Sequence, residues 1–214
     1  MSAPHLRVTS PYDGRFVGEL PYTSSTEVDR ALDEADALYR NRSQWLPPDV
    51  RVEILRKAAE LMTERRDSLI ETAIREGGKP YRDSVVEVDR AIDGMRNCAE
   101  LIRSEGCHVV PMGTTPASRD RIAFTQREPI GPVLALSAFN PPVNLIVHQI
   151  GPAIAAGCPV LVKPSRDTPL SCHNVVSLLH EAGLPEAWCR MLLPASHDDI
   201  DRLVRDGRGR FLSF

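Results

Sequence analysis

The sequence predicts an α/β protein in which N-terminal helices precede a doubly wound parallel sheet. Three observations predict it. Apolar residues recur at helical intervals between positions 28 and 102. Beyond Pro132 the rhythm changes to short continuous apolar runs, Val133-Leu134-Ala135-Leu136 and Val160-Leu161-Val162, as strands buried on both faces require. Glycine-closed helical stretches separate these runs, and strand–helix alternation at this spacing implies right-handed βαβ units.

In chain order, Ser24 and Glu27 have capping-box spacing, each side chain satisfying a free backbone N–H at a helix start. Val28, Ala31, Leu32, Ala35 and Leu38 then form a one-sided stripe. A second helix follows Pro47-Pro48-Asp49 and buries Ile54, Leu55, Ala58, Leu61 and Met62; it continues or restarts through Leu69, Ile70, Ala73 and Ile74. Gly77-Gly78 stops it, because glycine adopts the left-handed position after a helix without penalty. A third helix is expected from about Asp83 or Ser84, carrying Val85, Val88, Ile92, Met95, Ala99 and Ile102. Pro111, Gly113 and Pro116 then mark a connection, and the alternation over 122–127 reads as an edge or hairpin strand.

The second half reads as strand 133–136, helix 143–156 ended by Gly157, strand 160–162, helix 170–182 closed by Gly183, strand 191–193, helix 197–205 with Ile200, Leu203 and Val204 inward, and strand 211–214. We divide the chain into an N-terminal helical segment, 1–118, a strand and linker, 119–131, and the first half of a Rossmann-like domain, 132–214.

Composition narrows the function classes. The 214 residues contain 26 Lys+Arg and 29 Asp+Glu, a net charge of −3, with 42% hydrophobic, 26% charged and 5% aromatic residues. That is an ordinary globular balance without the basic footprint of a nucleic-acid partner. No apolar run reaches a membrane span of roughly 18 residues, and positions 1–7 lack the apolar stretch of a secretory signal. The five cysteines, Cys98, Cys107, Cys158, Cys172 and Cys189, are odd in number and have no CxxC spacing. Neither a disulfide framework nor a metal site is expected, and reduced thiols in the cytoplasm are the expectation.

Ligands of doubly wound sheets sit beyond the carboxyl ends of the strands. The residues there are Ala138-Phe139-Asn140-Pro141, Lys163-Pro164-Ser165-Arg166 and Pro194-Ala195-Ser196. Neither GxGxxG nor GxxxxGK[ST] occurs, so no glycine-rich phosphate cradle is expected. Asn140 is either a helix N-cap or an amide donor aimed at a developing oxyanion. Lys163 is either a solvated charge or a cation at a dinucleotide's ribose or phosphate, with Arg166 at the same crevice.

In combination these segments resemble the aldehyde dehydrogenase superfamily. The resemblance rests on Ser137-Ala-Phe-Asn-Pro-Pro-Val-Asn144, His148-Gln-Ile-Gly-Pro-Ala-Ile-Ala-Ala-Gly157, Val160-Leu-Val-Lys-Pro-Ser165, Thr168-Pro-Leu170 and Glu181-Ala-Gly-Leu-Pro185. Upstream, Trp45 with Arg51 and Leu55, Glu76-Gly-Gly-Lys-Pro80 and Arg127-Glu-Pro-Ile-Gly131 look like that family's N-terminal landmarks, in its order. The resemblance implies NAD- or NADP-dependent oxidation of an aldehyde to an acid through a cysteine thioester. It puts Asn140 on the oxyanion-hole asparagine, Lys163 on the lysine at the adenosine ribose, and Ala138 and Phe139 on backbone positions lining the cofactor crevice, with Ser165 and Arg166 beside them. It also implies a homodimer or homotetramer.

Three departures stand out. Arg166 replaces a glutamate that often binds the ribose hydroxyls, and an arginine there favours a 2′-phosphate, hence NADP. Pro141-Pro142 alters the turn at the substrate entrance. Family members are considerably longer, so the chain corresponds to their N-terminal portion, and the nucleophile and base are expected beyond Phe214. The five cysteines lack the nucleophile's context: Cys98 lies on the inner side of a helix, Cys107 in a loop, Cys158 before a buried strand, and Cys172 and Cys189 flank the next helix. The isolated chain is therefore expected to be inactive. The competing readings are a truncated, non-catalytic binding or interaction module and an unrelated doubly wound enzyme.

Overall fold

The computed structural model describes residues 4–214. An antiparallel hairpin of β1 (His5–Thr9) and β2 (Phe16–Pro21) opens the chain. The sequence expectations contain no such hairpin, because one buried residue per strand, Val8 and Leu20, is all that marks its inner face. Helix α1 (Ser25–Arg40) starts with the expected capping box of Ser24 and Glu27. The second stripe is two helices, α2 (Pro48–Glu64) and α3 (Arg66–Gly77), broken at Arg65. Gly78 then takes φ 63°, the left-handed conformation expected of it.

Helix α4 (Tyr81–Ser104) begins two residues before Asp83, with Pro80 at its cap. Strands β3 (His108–Val110) and β4 (Ala123–Thr125) pair as a hairpin. β4 lies inside the expected strand, whereas β3 falls in the stretch read as a connection. All three β3 residues are exposed, so no buried face signals it.

The second half alternates as expected: β5 (Val133–Leu136), α5 (Pro142–Ala155), β6 (Val160–Lys163), α6 (Pro169–Glu181), β7 (Cys189–Met191), α7 (His197–Arg205) and β8 (Phe211–Ser213). The strands form one parallel sheet in the order β7-β6-β5-β8. The chain thus winds outward through three strands, then crosses back to lay β8 against β5. Two local expectations are corrected. β7 starts two residues before the expected strand 191–193 and ends at Met191, because Leu193 leaves β6 to exchange hydrogen bonds with Thr23. On α7 only Leu203 is fully buried; Ile200 is half-buried and Val204 faces outward.

Side-chain alternation along the strands separates two cores. Val133, Ala135, Val160 and Val162 join the larger one, built with α2–α6, while Leu134 and Leu161 join Val28, Leu32 and Leu203 of α1 and α7. Each buried side chain of Val or Leu size contributes about 1.5–3 kcal/mol. Helices α4 and α5 cross closely: a Cβ on Gly151 would stand 2.9 Å from Cys98 Sγ.

Two buried glutamates tie the helical half to the sheet half. Glu76 of α3 accepts the backbone N–H groups of Leu170 (2.8 Å) and Ser171 (2.7 Å) at the start of α6. Glu87 of α4 accepts those of Val143 (2.6 Å) and Asn144 (3.1 Å) at the start of α5, and also pairs with Lys79. Both helices begin with proline and lack a side-chain cap of their own. The carboxylates from α3 and α4 therefore satisfy donors that would otherwise be orphaned, where the helix dipole favours negative charge.

At Glu76 burial outweighs the two N–H donors and pushes the carboxyl up to about 7. An unfolded glutamate titrates near 4.5. The stability this group contributes is therefore complete below the unfolded value and is lost as pH rises through the folded one. Denaturant unfolding should show wild-type stability declining between about pH 5 and 7.5, with Glu76→Gln flatter over that range. Glu76→Ala should cost about 2–4 kcal/mol, since it strands both amides. A wild-type slope that persists unchanged in Glu76→Gln contradicts this account.

Candidate active site

The carboxyl ends of the four strands bring the sequence-predicted residues to one edge. Leu136 of β5 pairs in register with Lys163 of β6, so 137–140 and 164–166 leave the sheet side by side. Ala138, Phe139 and Asn140 are all exposed on this edge, Phe139 by 58%. Asn140 is not the cap of α5: Pro141 holds that position, and among the described residues the Asn140 amide makes no hydrogen bond. The capping alternative for Asn140 is thereby excluded.

Lys163 is half-buried and has no carboxylate within 4 Å among the described residues. Burial, and next the charge of Arg166, hold its amine below the ordinary lysine value. Arg166 does not simply face solvent. Its guanidinium donates to the backbone carbonyls of Pro194 (3.2 Å) and Ala195, just past β7. The ends of β6 and β7 are thus linked by the arginine itself. The Ser165 hydroxyl is engaged locally, donating to Asp167 Oδ2 and accepting from the Asp167 N–H, both at 3.2 Å.

One residue at this edge escaped the sequence reading. Gln149 of α5 is buried, and its side-chain amide donates to the carbonyls of Leu136 (3.2 Å) and Ser213 (3.3 Å). It bridges β5 and β8, where the strand order reverses and doubly wound sheets open their ligand crevice. Its Oε1 and the strand-end Ser137 Oγ are buried without hydrogen-bond partners among the described residues. A glutamine on the buried stripe of Ile146, Ile150 and Ala153 is the signal that marks it in the sequence.

The upstream landmarks are structural. Leu55 is buried, Trp45 donates its indole N–H to the Tyr39 carbonyl, and Arg51 donates to the Ala155 carbonyl at the C-terminal end of α5. A cavity of about 480 Å³ lies at that end, lined by Arg51, Cys107, Arg127, Pro152 and Ala155 among others, and touches none of the strand carboxyl ends. A smaller cavity of about 290 Å³ borders the site, with Pro141 in its wall.

None of the cysteines is placed as a nucleophile. Burial pushes the Cys98 thiol up to about 11 and the Cys189 thiol up to about 12, and holds Cys172 well above the usual value. Cys158 is buried as well. Cys172 does not flank α6 as expected but lies within it, and Cys189 opens β7. Cys107 is exposed, yet it shares its cavity with Ala155 at the far end of α5, roughly 20 Å of helix from Asn140. Among the described residues no cluster of His, Cys, Asp and Glu suits a metal, and no helix is long and apolar enough to cross a membrane.

A family model described as the aldehyde dehydrogenase family matches residues 1–214. The 3-sulfolactaldehyde dehydrogenase of Priestia megaterium is 34% identical over 191 residues, which cover 89% of this chain and 39% of that protein. Aldehyde dehydrogenase 21 of Physcomitrella patens, solved with its reaction product succinate, aligns with a TM-score of 0.92 and 30% identity over 99% of this chain and 44% of that one. The glyceraldehyde-3-phosphate dehydrogenase GapN of Methanocaldococcus jannaschii, solved with NADP, aligns at 0.88 and 30% identity over 98% and 45%. The chain spans about two fifths of the length of the curated relatives it matches.

The cysteine environments predict a simple thiol count. Under native conditions a disulfide-exchange reagent should modify Cys107 rapidly and the four buried thiols only after denaturation. Fast native labelling of Cys172 or Cys189, read by peptide mass, contradicts the packing described.

Proposed function

Because the chain belongs to the aldehyde dehydrogenase family, we propose that its sheet edge forms the cofactor and oxyanion part of a site that oxidises an aldehyde to a carboxylic acid with NAD or NADP. The observation that carries this reading is the register of Leu136 with Lys163, which sets the Asn140 segment beside a half-buried lysine that has no carboxylate partner among the described residues, one strand away from the switch point of the sheet. The donor set suits a dinucleotide. A partly desolvated amine with no carboxylate partner gains from a ribose or phosphate oxygen, as does the neighbouring guanidinium.

In this reading Lys163 contacts the adenosine ribose, and Ala138 and Phe139 line the crevice with their backbone. Ser165 shapes the turn that carries Arg166, and Arg166 directs its remaining donors toward a 2′-phosphate, so NADP is accepted at least as well as NAD. When bound, the cofactor supplies the hydride acceptor. Asn140, with its amide otherwise uncommitted, donates an N–H to the aldehyde oxygen as negative charge develops. A single such donor is worth roughly 10²–10³ in rate. The thiolate and the base of the thioester route are not assigned to any of these 214 residues.

The exposed hairpin residues Val109, Ile122 and Phe124 support self-association into a dimer or tetramer, and five free cysteines support a reducing, cytoplasmic setting. The division at 118 and 131 is retained as part of this reading, with the helical segment packed on the cofactor domain. The interaction-module alternative has no observation in its favour, and family membership removes the unrelated enzyme.

Cofactor binding by the chain itself tests the assignment. Titration with NADPH, followed by its fluorescence, should show saturable binding that Lys163→Ala weakens about tenfold or more. Arg166→Glu should lower the NADPH-to-NADH affinity ratio. The chain mixed with an aldehyde and NADP should yield no reduced cofactor. An unchanged ratio removes Arg166 from cofactor selection, and no binding of either nucleotide removes the crevice assignment.

A further inference from the structure

We propose that the cavity at the C-terminal end of α5 is a second ligand site, and that it takes a small carboxylate with an apolar body, its acid group on Arg51. The proposal does not draw on the cofactor crevice. The cavity holds about 480 Å³, within the range of small-molecule sites. Leu101 and Ile102 of α4 face Pro152 and Ala155 of α5 across it, and Arg51, Glu105, Arg127 and Glu128 supply its charges.

Three of these charges are answered within the fold. Glu105 pairs with Arg127 at 3.1 Å. Glu128 accepts two donors of Arg42, at 2.7 and 3.0 Å. Arg51 is different: it is half-buried and has no carboxylate within 4 Å among the described residues. Of its five N–H donors the fold uses one, on the Ala155 carbonyl, and its Nε is buried without a partner. A carbonyl at a helix end carries only a partial negative charge, so the cation stays under-compensated. Burial accordingly holds the guanidinium below the ordinary arginine value.

The cation is also fixed in place. Gly157 takes φ 79°, and a Cβ there would stand 3.1 Å from Arg51 Nη1. The guanidinium thus packs against the turn that ends α5 and meets a ligand already oriented. A rigid planar donor set with no anion of its own suits a carboxylate. The rest of the ligand follows from the opposite wall. Leu101 is 47% exposed, and an apolar body lying on it removes that surface from water.

The probe is octanoate, with octanamide as its uncharged match. Calorimetric titration of the 214-residue chain should show saturable octanoate binding, with octanamide at least about tenfold weaker. Cys107 is exposed in the same wall and reports occupancy. Bound octanoate should slow its labelling by N-ethylmaleimide, read by peptide mass. Arg51→Gln should weaken octanoate about tenfold and leave octanamide unchanged. Because Arg51 also holds the end of α5, Leu101→Glu provides a variant that spares that contact. Its new carboxylate in the wall should repel octanoate and abolish protection of Cys107. No octanoate binding, equal affinity for octanoate and octanamide, unprotected Cys107 at saturation, or wild-type octanoate affinity in Leu101→Glu overturns the proposal. NADPH titrations should be the same with and without octanoate, and competition between the two places octanoate in the crevice and overturns it as well.

Discussion

The fold depends on how helix α5 is held at both ends by charges it does not itself carry. Glu87, backed by Lys79, meets the N–H groups at its start, and Arg51 meets a carbonyl at its end. Each charge has the sign that the helix dipole favours. α5 is otherwise almost wholly buried, so its terminal polar groups have little access to water, and unpaired they would be costly. Glu76 repeats the device at the start of α6. The N-terminal helices are thus part of the electrostatics of the sheet domain. A sheet half lacking α2, α3 and α4 would expose the larger core and orphan the starts of two crossover helices.

This arrangement bears on the site because the same helix start carries the turn with Asn140. With the start of α5 satisfied by Glu87, the Asn140 amide is released from capping and stays uncommitted at the strand edge. Gln149, two turns further along α5, fixes the spacing between β5 and β8 beneath that edge. In the proposed reading the Asn140 amide serves a developing oxyanion only if it is already positioned, and the caps and the bridge hold its anchoring turn in place.

Much of the architecture was legible because it rests on local rules. The Ser24 capping box, the stop at Gly78 and the apolar runs at 133–136 and 160–162 each follow from neighbours in sequence. What was not legible depends on partners distant in the chain. β7 contains Arg190, which reads as surface until Glu34 of α1 is seen 2.6 Å away. β3 has no buried face and exists through its pairing with β4. Glu76 and Glu87 look like solvated charges on amphipathic helices, and only the tertiary fold turns them into caps. At the site, the strand-end rule located Asn140, Lys163 and Arg166, while the bridging role of Gln149 became visible only once helices and strands were assembled.

The cations of this edge can be ranked by what already holds them. Lys79 is neutralised by Glu87, and Arg166 is partly engaged by the carbonyls after β7. Lys163 has no such partner among the described residues and stands at the end of β6, whose register with β5 sets it beside the segment leading to Asn140. A half-buried ammonium is destabilised by desolvation. In the proposed reading Lys163 therefore gains most from a ligand carrying oxygen acceptors into the crevice.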